Sequence, residues 1–526
     1  MNESAEGVSN PSEREEETDF SGPPLTRSQQ TILQVSVLIV ALCGIVYELI
    51  IATIASYLLG DSVYQFSLTI GLFMFAMGMG SLITRRFAER LIEWFIATEI
   101  LVAFVGGLSS IILFVVFPWT FAFKPVMYTL ILLIGGLVGL EIPLLMRILS
   151  ESGGFRKSIA QVLALDYFGA LVGSVSFPLL LLPFLGLFRA SFGIGLLNGL
   201  IALINVYAFG KLIRWPLAWK SLTILCIGLL GIGVGSASLL KSFAQGQLYA
   251  DLIVFQQQTP YQNIVLTCNE MNGEHRLYVD GHLQFAERDE YRYHEALVHP
   301  ALTLSAPGTR VLILGGGDGL AAREVLKHDS VQSIDLVDID PAITRLCREF
   351  EPVRKLNQGA LEHPRLTIHH QDAFTFLQEP GSPYDCIIID LPDPHNEALS
   401  KLYSVEFYNL VGKKLKQDGC FVTQSSSPWV TRQAFWSIAK TIEAAGFRTT
   451  SYHVVVPNFG DWGFQLAARE TPRIPEIKIE VPTRFLNPEV LDKSTLFARD
   501  ESRVDTPVNS IFEPRLYLLY QEEIKQ

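Results

Sequence analysis

Paired cysteines, a basic stripe and a leader-like apolar start are all missing from this chain of 526 residues. Its six cysteines (Cys43, Cys226, Cys268, Cys347, Cys386 and Cys420) have no paired spacing. That excludes a disulfide scaffold or a cysteine-based zinc cage and leaves reduced core thiols. Lysine and arginine total 41 against 53 acids, a net charge of −12. With no basic run to follow a phosphate backbone, nucleic acid is excluded as a partner. Residues 1–30 are rich in Glu, Ser, Pro and Thr with no apolar core behind a basic start. They read as a disordered acidic tail, not a signal peptide. Charge is also sparse from residue 31 to residue 240.

What fills that stretch is apolar. Hydrophobic residues make up 49% of the chain, and the excess sits before residue 240. Blocks near 31–58, 64–83, 95–118, 125–146, 160–183, 188–209 and 219–239 each approach the roughly 20 residues that cross a bilayer. A membrane domain over 31–240 with about seven spans is therefore expected. The stretch Pro183–Gly186 is either a loop between two spans or a re-entrant turn. Arg85, Arg86 and Arg90, then Arg147, Arg156 and Lys157, then Lys211, Arg214 and Lys220 lie in alternate loops. The positive-inside rule assigns those loops and the N-terminus to the cytoplasm. Glu48, Glu99, Glu141 and Asp166 fall inside the blocks, either as functional groups on a cation path or as capping groups near the interface. Gly71, Gly78 and Gly80, with Gly135, Gly136 and Gly139, suit close helix packing.

After a linker at Ser236–Gln247 the pattern changes. Residues 248–286 predict a small β-subdomain with strands Leu252–Phe255, Asn263–Cys268 and Arg276–Val279 and a turn at Asp280-Gly281. Glu287–Thr303 predicts a helix, and strands and helices alternate from Thr309 onward. Over 287–470 this is the signature of a Rossmann-like, methyltransferase-type α/β domain with a parallel sheet. Phe421–Gln424, Thr449–Val456 and Trp462–Ala468 predict its later strands, Arg432–Ala445 a helix, and Ser425–Trp429 a loop over the pocket. Residues 471–526 read as a C-terminal strap.

The chemistry sits at predicted strand ends, where open α/β sheets bind ligands. Leu312-Ile313-Leu314 runs into Gly315-Gly316-Gly317-Asp318-Gly319 before a helix at Leu320–His328. The strand Ile334–Val337 ends at Asp338, where an acid accepts hydrogen bonds from ribose hydroxyls. Arg365–His369 leads to Gln371-Asp372-Ala373, placed for a purine amino group, with a helix N-cap as the alternative for Asp372. Ile387-Ile388-Ile389 ends on Asp390 and Asp393 around Pro392, as catalytic acids or as turn formers. Asp318 would repel a pyrophosphate or a donor carboxylate. It suits a decarboxylated donor with a free ammonium, or else simply starts a helix.

Gly315–Gly319 with Arg323–His328, Asp280-Gly281, Gln284, Glu287–Glu290 and Tyr293-His294-Glu295 together resemble the spermidine synthase (polyamine aminopropyltransferase) family over roughly residues 250–470. The apolar half is similar to the membrane-embedded, multi-pass branch of that family. The resemblance implies transfer of an aminopropyl group from decarboxylated S-adenosylmethionine to putrescine, giving spermidine and methylthioadenosine. It further implies that Gln262, Asp338, Asp372 and Ala373, with Gly315 and Gly317, hold the nucleoside, and that Tyr293, His294, Asp318, Asp390 and Asp393 line the amine channel. Three departures stand out. The family has Glu at Asp338 and Asp-Gly at Asp372-Ala373, and its Gly-Pro after the second acid is replaced by Pro394-His395-Asn396. The last leaves acceptor preference open.

A sulfonium donor is already activated, so no metal or cofactor is required. The acceptor amine is protonated at neutral pH and must lose a proton before it attacks. Asp390 is assigned as the base, with Asp393 anchoring the amine. A cytosolic donor places the catalytic domain on the cytoplasmic side of the cell membrane, against the loop charges if the spans are odd in number. The bilayer and a second copy of the chain are the further expected partners. A methyltransferase on the same fold, and a polyamine transporter or sensor without turnover, are the competing readings.

Overall fold

The computed structural model describes residues 25–59, 62–87, 89–150, 155–246, 249–305, 309–474 and 477–525. They form two compact units, Met1–Ile54 with Phe66–Lys241, and Ala55–Gln65 with Ser242–Gln526. Positions 1–24 of the expected tail lie outside the described residues, and Arg27–Gln30 belong to the first helix.

The first unit is all helix: α1 (Arg27–Leu59), α2 (Ser62–Ile83), α3 (Leu91–Val116), α4 (Thr120–Ser150), α5 (Phe155–Ser176), α6 (Leu182–Ala208) and α7 (Pro216–Gly246). The expected linker at Ser236–Gln247 is therefore the end of α7 as far as Gly246. Among the described residues six helices are long and apolar enough to cross a membrane, because Ala160–Ala208 counts once, at 49 residues. A straight helix of that length would span about 74 Å, over twice a hydrocarbon core of about 30 Å.

Packing explains the excess. Along α1, Leu38 meets Gly169, and Leu42 with Ile45 meets Gly173, so α5 runs parallel to α1. Cys43 meets Ile194 and Ser36 meets Asn205, so α6 runs antiparallel. The chain reverses through the π-helical turn Phe177–Leu181 and Gly186, whose φ is +69°. The two halves of the long helix are thus two passes, joined by the turn that Pro183–Gly186 suggested. One end of the bundle gathers the basic loops. There Arg147 donates to the carbonyls of Thr84 and Phe87 at 3.2 and 2.7 Å, and Gln29 donates to Ala208 at 2.9 Å. Gly80 abuts Gly136, and Gly135 and Gly139 receive Phe73 and Met77, but Gly71 and Gly78 contact nothing. Those two do not serve packing.

The second unit opens with a four-stranded antiparallel sheet, β1 (Leu252–Gln258), β2 (Asn263–Cys268), β3 (His275–Val279) and β4 (His282–Ala286). Asp280 and Gly281, with φ of +49° and +83°, make the β3–β4 turn, and β4 is a strand beyond those expected. The main sheet contains β5 (Thr309–Gly315), β6 (Val331–Asp338), β7 (Leu366–His370), β8 (Tyr384–Asp390), β9 (Leu415–Gln424), β10 (Arg448–Val456) and β11 (Gly460–Ala468). Its order is β10-β11-β9-β8-β5-β6-β7. Five strands are parallel, while β11 and β10 pair antiparallel at one edge, so the sheet is mixed rather than wholly parallel.

Both faces of this sheet are covered. Val311 and Ile313 of β5 enter one core with Leu297 and Ala301 of α8 (Glu290–Thr303). Leu312 and Leu314 enter the other with Phe376 and Phe407. Burial on both faces explains the unbroken apolar runs that marked these strands in the sequence. The helix after the glycine turn, α9 (Leu320–Leu326), is shorter than expected. All six cysteines are free.

Gly315, at φ +84°, lies so close to β8 that a Cβ would collide with the carbonyl oxygen of Asp390. Strain at such a position costs about 1–3 kcal/mol before the collision is counted. Gly315→Ala is therefore expected to lower the thermal unfolding midpoint of the solubilised full-length protein and to displace Asp390. An unchanged midpoint with full activity would contradict this geometry.

Candidate active site

Neighbouring parallel strands, about 4.8 Å apart, bring the motif residues together at their carboxyl ends. Gly315 pairs with Asp390, and Asp338 with His370. The chain moves outward from β5 to β6 and β7, then returns to β8 on the other side of β5. The crevice over β5 and β8 is thus the switch point where such sheets take ligands.

Asp390 ends β8 with its Oδ1 accepting from the Tyr293 hydroxyl at 2.7 Å. Burial raises its pKa, and the nearby His294 and the Tyr293 hydroxyl only partly oppose this. Asp318 accepts from the Leu320 N–H at 2.8 Å, so it does start the helix, yet it also faces His294 and Asp390. Burial, with the charge of Asp390, pushes it up to about 6. Asp393 accepts from Tyr520 Oη at 2.8 Å and from Gln424 Nε2 at 3.3 Å. Burial pushes it up to about 6 as well. Ion pairs around the pocket go to Glu290 and Asp372. Asp318 is buried and Asp390 and Asp393 half-buried, and among the described residues none of the three has a Lys, Arg or His nitrogen at ion-pair distance.

His294 lies on α8 beside Asp318 and Asp390. Its Nδ1 is held by the backbone carbonyl and carboxylate of Glu290 at 2.8 and 2.9 Å. Burial lowers its pKa, but the hydrogen bond and charge of Glu290, with Asp318 and Asp390, carry it up to about 9. Glu290 is clamped from its other side by both terminal nitrogens of Arg323 at 2.8 and 2.9 Å. Glu290 thus fixes the His294 ring through Nδ1 and favours its charged form.

The nucleoside side is built from backbone. Asp338 accepts from the N–H groups of Gly317 at 3.0 Å and Asp340 at 2.9 Å. Each carboxylate oxygen keeps a lone pair for a ribose hydroxyl. Burial pushes Asp338 up to about 6. The β1–β2 turn is tied beside it, since Thr259 donates to Asp340 at 2.7 Å and its own Oγ1 accepts from the Gln262 N–H at 3.0 Å. Asp372 caps the helix Ala373–Gln378 through the Thr375 N–H at 2.9 Å and pairs with Lys401 at 3.3 Å. The capping alternative is realised, and one carboxylate oxygen is committed to it. Ala373 is buried in the first turn of that helix.

Several contributors had no signal in the sequence. Tyr520 comes from the C-terminal helix Leu516–Ile524, 127 residues from Asp393. Gln424 also donates to Leu391 O at 2.8 Å and to Tyr403 Oη at 2.6 Å. The departing loop is held by a stack of His395 on His282, with centroids 4.1 Å apart. Burial and the neighbouring His282 take His395 down to about 3, so this wall of the pocket is uncharged.

A spermine/spermidine synthase domain model matches residues 290–478. A polyamine aminopropyltransferase of Leptospira interrogans is 42% identical over 496 residues, covering 94% of this chain and 99% of its own. Polyamine aminopropyltransferase 1 of Streptomyces coelicolor is 43% identical over 519 residues, covering 95% of each chain. The crystal structure of spermidine synthase from Thermotoga maritima aligns with TM-score 0.42 and 26% identity, over 47% of this chain and 85% of that one. With its acids gathered at the strand ends and its relatives matched from the helical unit to the C-terminus, the chain belongs to the polyamine aminopropyltransferase family and is an aminopropyltransferase.

Proposed function

We propose that the enzyme moves the aminopropyl group of decarboxylated S-adenosylmethionine to putrescine, without a metal or cofactor. The observation that carries this reading is the trio of aspartates without a cationic partner, Asp318 buried and Asp390 and Asp393 half-buried, beside a ribose-type acid. A site of this kind favours a cationic donor and a cationic acceptor. Asp338, Gln262, Asp372 and Ala373, with the glycine turn, hold the nucleoside. Asp318 faces the donor's aminopropyl ammonium. Asp393 anchors the far ammonium of the acceptor. Asp390, steadied by Tyr293, takes the proton from the attacking nitrogen. That nitrogen then bonds to the propyl carbon as the carbon–sulfur bond breaks, and the electron pair stays on sulfur in methylthioadenosine. A raised Asp390 pKa narrows the gap to the amine and so helps the transfer.

Asp390→Asn is expected to lower kcat about 10²–10⁴-fold while methylthioadenosine still binds. Asp393→Asn is expected to raise the KM for putrescine with a smaller change in kcat. A wild-type rate for Asp390→Asn at neutral pH would remove it as the base.

The pH profile follows from the acids. Their raised pKa values mean that protonation as pH falls through about 6 removes the anions that hold the amines. Activity should fall below pH 6 and keep rising toward the amine's own pKa, near 10. A profile flat from pH 5 to 7 would contradict this.

We further propose that the helical unit spans the cell membrane with the catalytic unit in the cytoplasm, where the donor is made. The exposed Met74, Phe75, Phe121 and Leu180 of the bundle support a lipid-facing surface. Because the passes alternate and α7 leaves opposite the basic loops, this puts those loops outside, against the usual charge tendency. Cys268, half-buried, should react with an impermeant maleimide only after lysis. Reaction in intact cells would overturn the orientation.

A further inference from the structure

The buried charge inside the helical bundle is of one sign. Glu99 on α3 and Glu141 on α4 have no solvent exposure, and among the described residues of this unit no Lys, Arg or His is buried. Glu99 senses the charge of Glu141, and Glu141 senses the half-buried Asp166 of α5. Glu141 thus stands electrostatically between the other two, in the row Glu99, Glu141, Asp166. Glu99 lies eight residues into α3 and Glu141 nine before the end of α4. At 1.5 Å per residue that is about 12–14 Å deep, near the middle of a bilayer.

Polar groups around this row lack partners. Asn198 Nδ2 donates to the Glu99 backbone carbonyl at 3.0 Å, and Asn205 Nδ2 reaches the Glu99 carboxylate at 3.3 Å. Both amides are thereby seated against the turn of α3 that carries Glu99. Their Oδ1 atoms, both Glu141 oxygens and the Tyr47 hydroxyl are buried with no hydrogen-bond partner. Tyr47 lies against Gly106 of α3 and also senses Glu141. Almost every orphan is an acceptor, so the complement is a donor-rich cation. A buried carboxylate without a partner is costly in the low-dielectric core of a bundle. A single monovalent ion would leave this row of acids under-compensated, whereas a chain bearing two or more ammonium groups matches both its charge and its linear layout.

We propose that the helical bundle contains a second amine site, in which Glu99, Glu141 and Asp166 bind a linear alkylammonium ion of two or more charges. This site shares no residue with the catalytic one, and the first arm of its test rests on the proposed role of Asp390 and Asp393 in holding the amine there. It gives the helical unit a polyamine-binding function alongside the transferase.

The test uses full-length protein in nanodiscs carrying Asp390→Asn and Asp393→Asn, to silence the catalytic amine site, with radiolabelled putrescine and spermidine as probes. One saturable amine should remain per chain, and adding Glu99→Gln or Glu141→Gln should weaken it about tenfold or more. Retention unaffected by either glutamine would overturn the proposal. Because glutamine variants can misfold, a second measurement uses the wild-type chain. Dicyclohexylcarbodiimide should modify Glu141, read by mass spectrometry, and millimolar spermidine should protect it. Protection by sodium ions but not by spermidine would overturn the amine assignment in favour of an inorganic cation.

Discussion

Burying a carboxylate without a cation is the constraint around which the catalytic unit is arranged. Asp318, Asp390 and Asp393 are held by a backbone N–H, two phenols and an amide, none of which neutralises them. Burial raises the pKa of all three carboxyls, and in the proposed reaction a cationic substrate relieves that cost. The same feature would disfavour phosphates and free carboxylates, because like charges would meet in the crevice. His294 is the counterweight. Neutralised by Glu290 and backed by Arg323, it keeps the acids from being wholly protonated without competing for the amine.

The fold supplies what such a site needs, which is rigidity at strand ends. The β5 and β8 strands are buried on both faces, and the glycine turn passes against the last residue of β8 with no room for a side chain. The carboxylate of Asp390 is thereby set by the backbone and by Tyr293, which comes from a helix packed on the sheet. The C-terminal helix contributes the last piece through Tyr520, and Gln521 holds the departing loop by a 3.0 Å bond to His395 O. The strap thus holds both Asp393 and the loop after it.

Much of this was legible because parallel strands buried on both faces read as apolar runs and end on their functional residues. The seven apolar blocks fall on seven helices, and the suspected turn at Pro183–Gly186 is where the chain reverses. What escaped was set by contacts distant in sequence or by local competition. Nothing near Tyr520 announces a partner at Asp393. Asp372 could serve a nucleoside or a cap on sequence alone, and the Thr375 N–H now occupies one of its oxygens. The partner of His294 also had to be seen, since Glu290 one turn away holds its Nδ1. The glycines at 71 and 78 suggested packing, yet the face they lie on meets no neighbour.

The central claim is that the pocket's acids are partly protonated when empty and become ionised as a cation enters. Calorimetric titration of the full-length protein with putrescine at pH 6, repeated in buffers of different ionisation enthalpy, counts the protons exchanged on binding. With Asp393 near 6 in the free protein, binding the diammonium beside it should lower its pKa and release protons to the buffer. Binding with no proton release, or with proton uptake, would contradict the account.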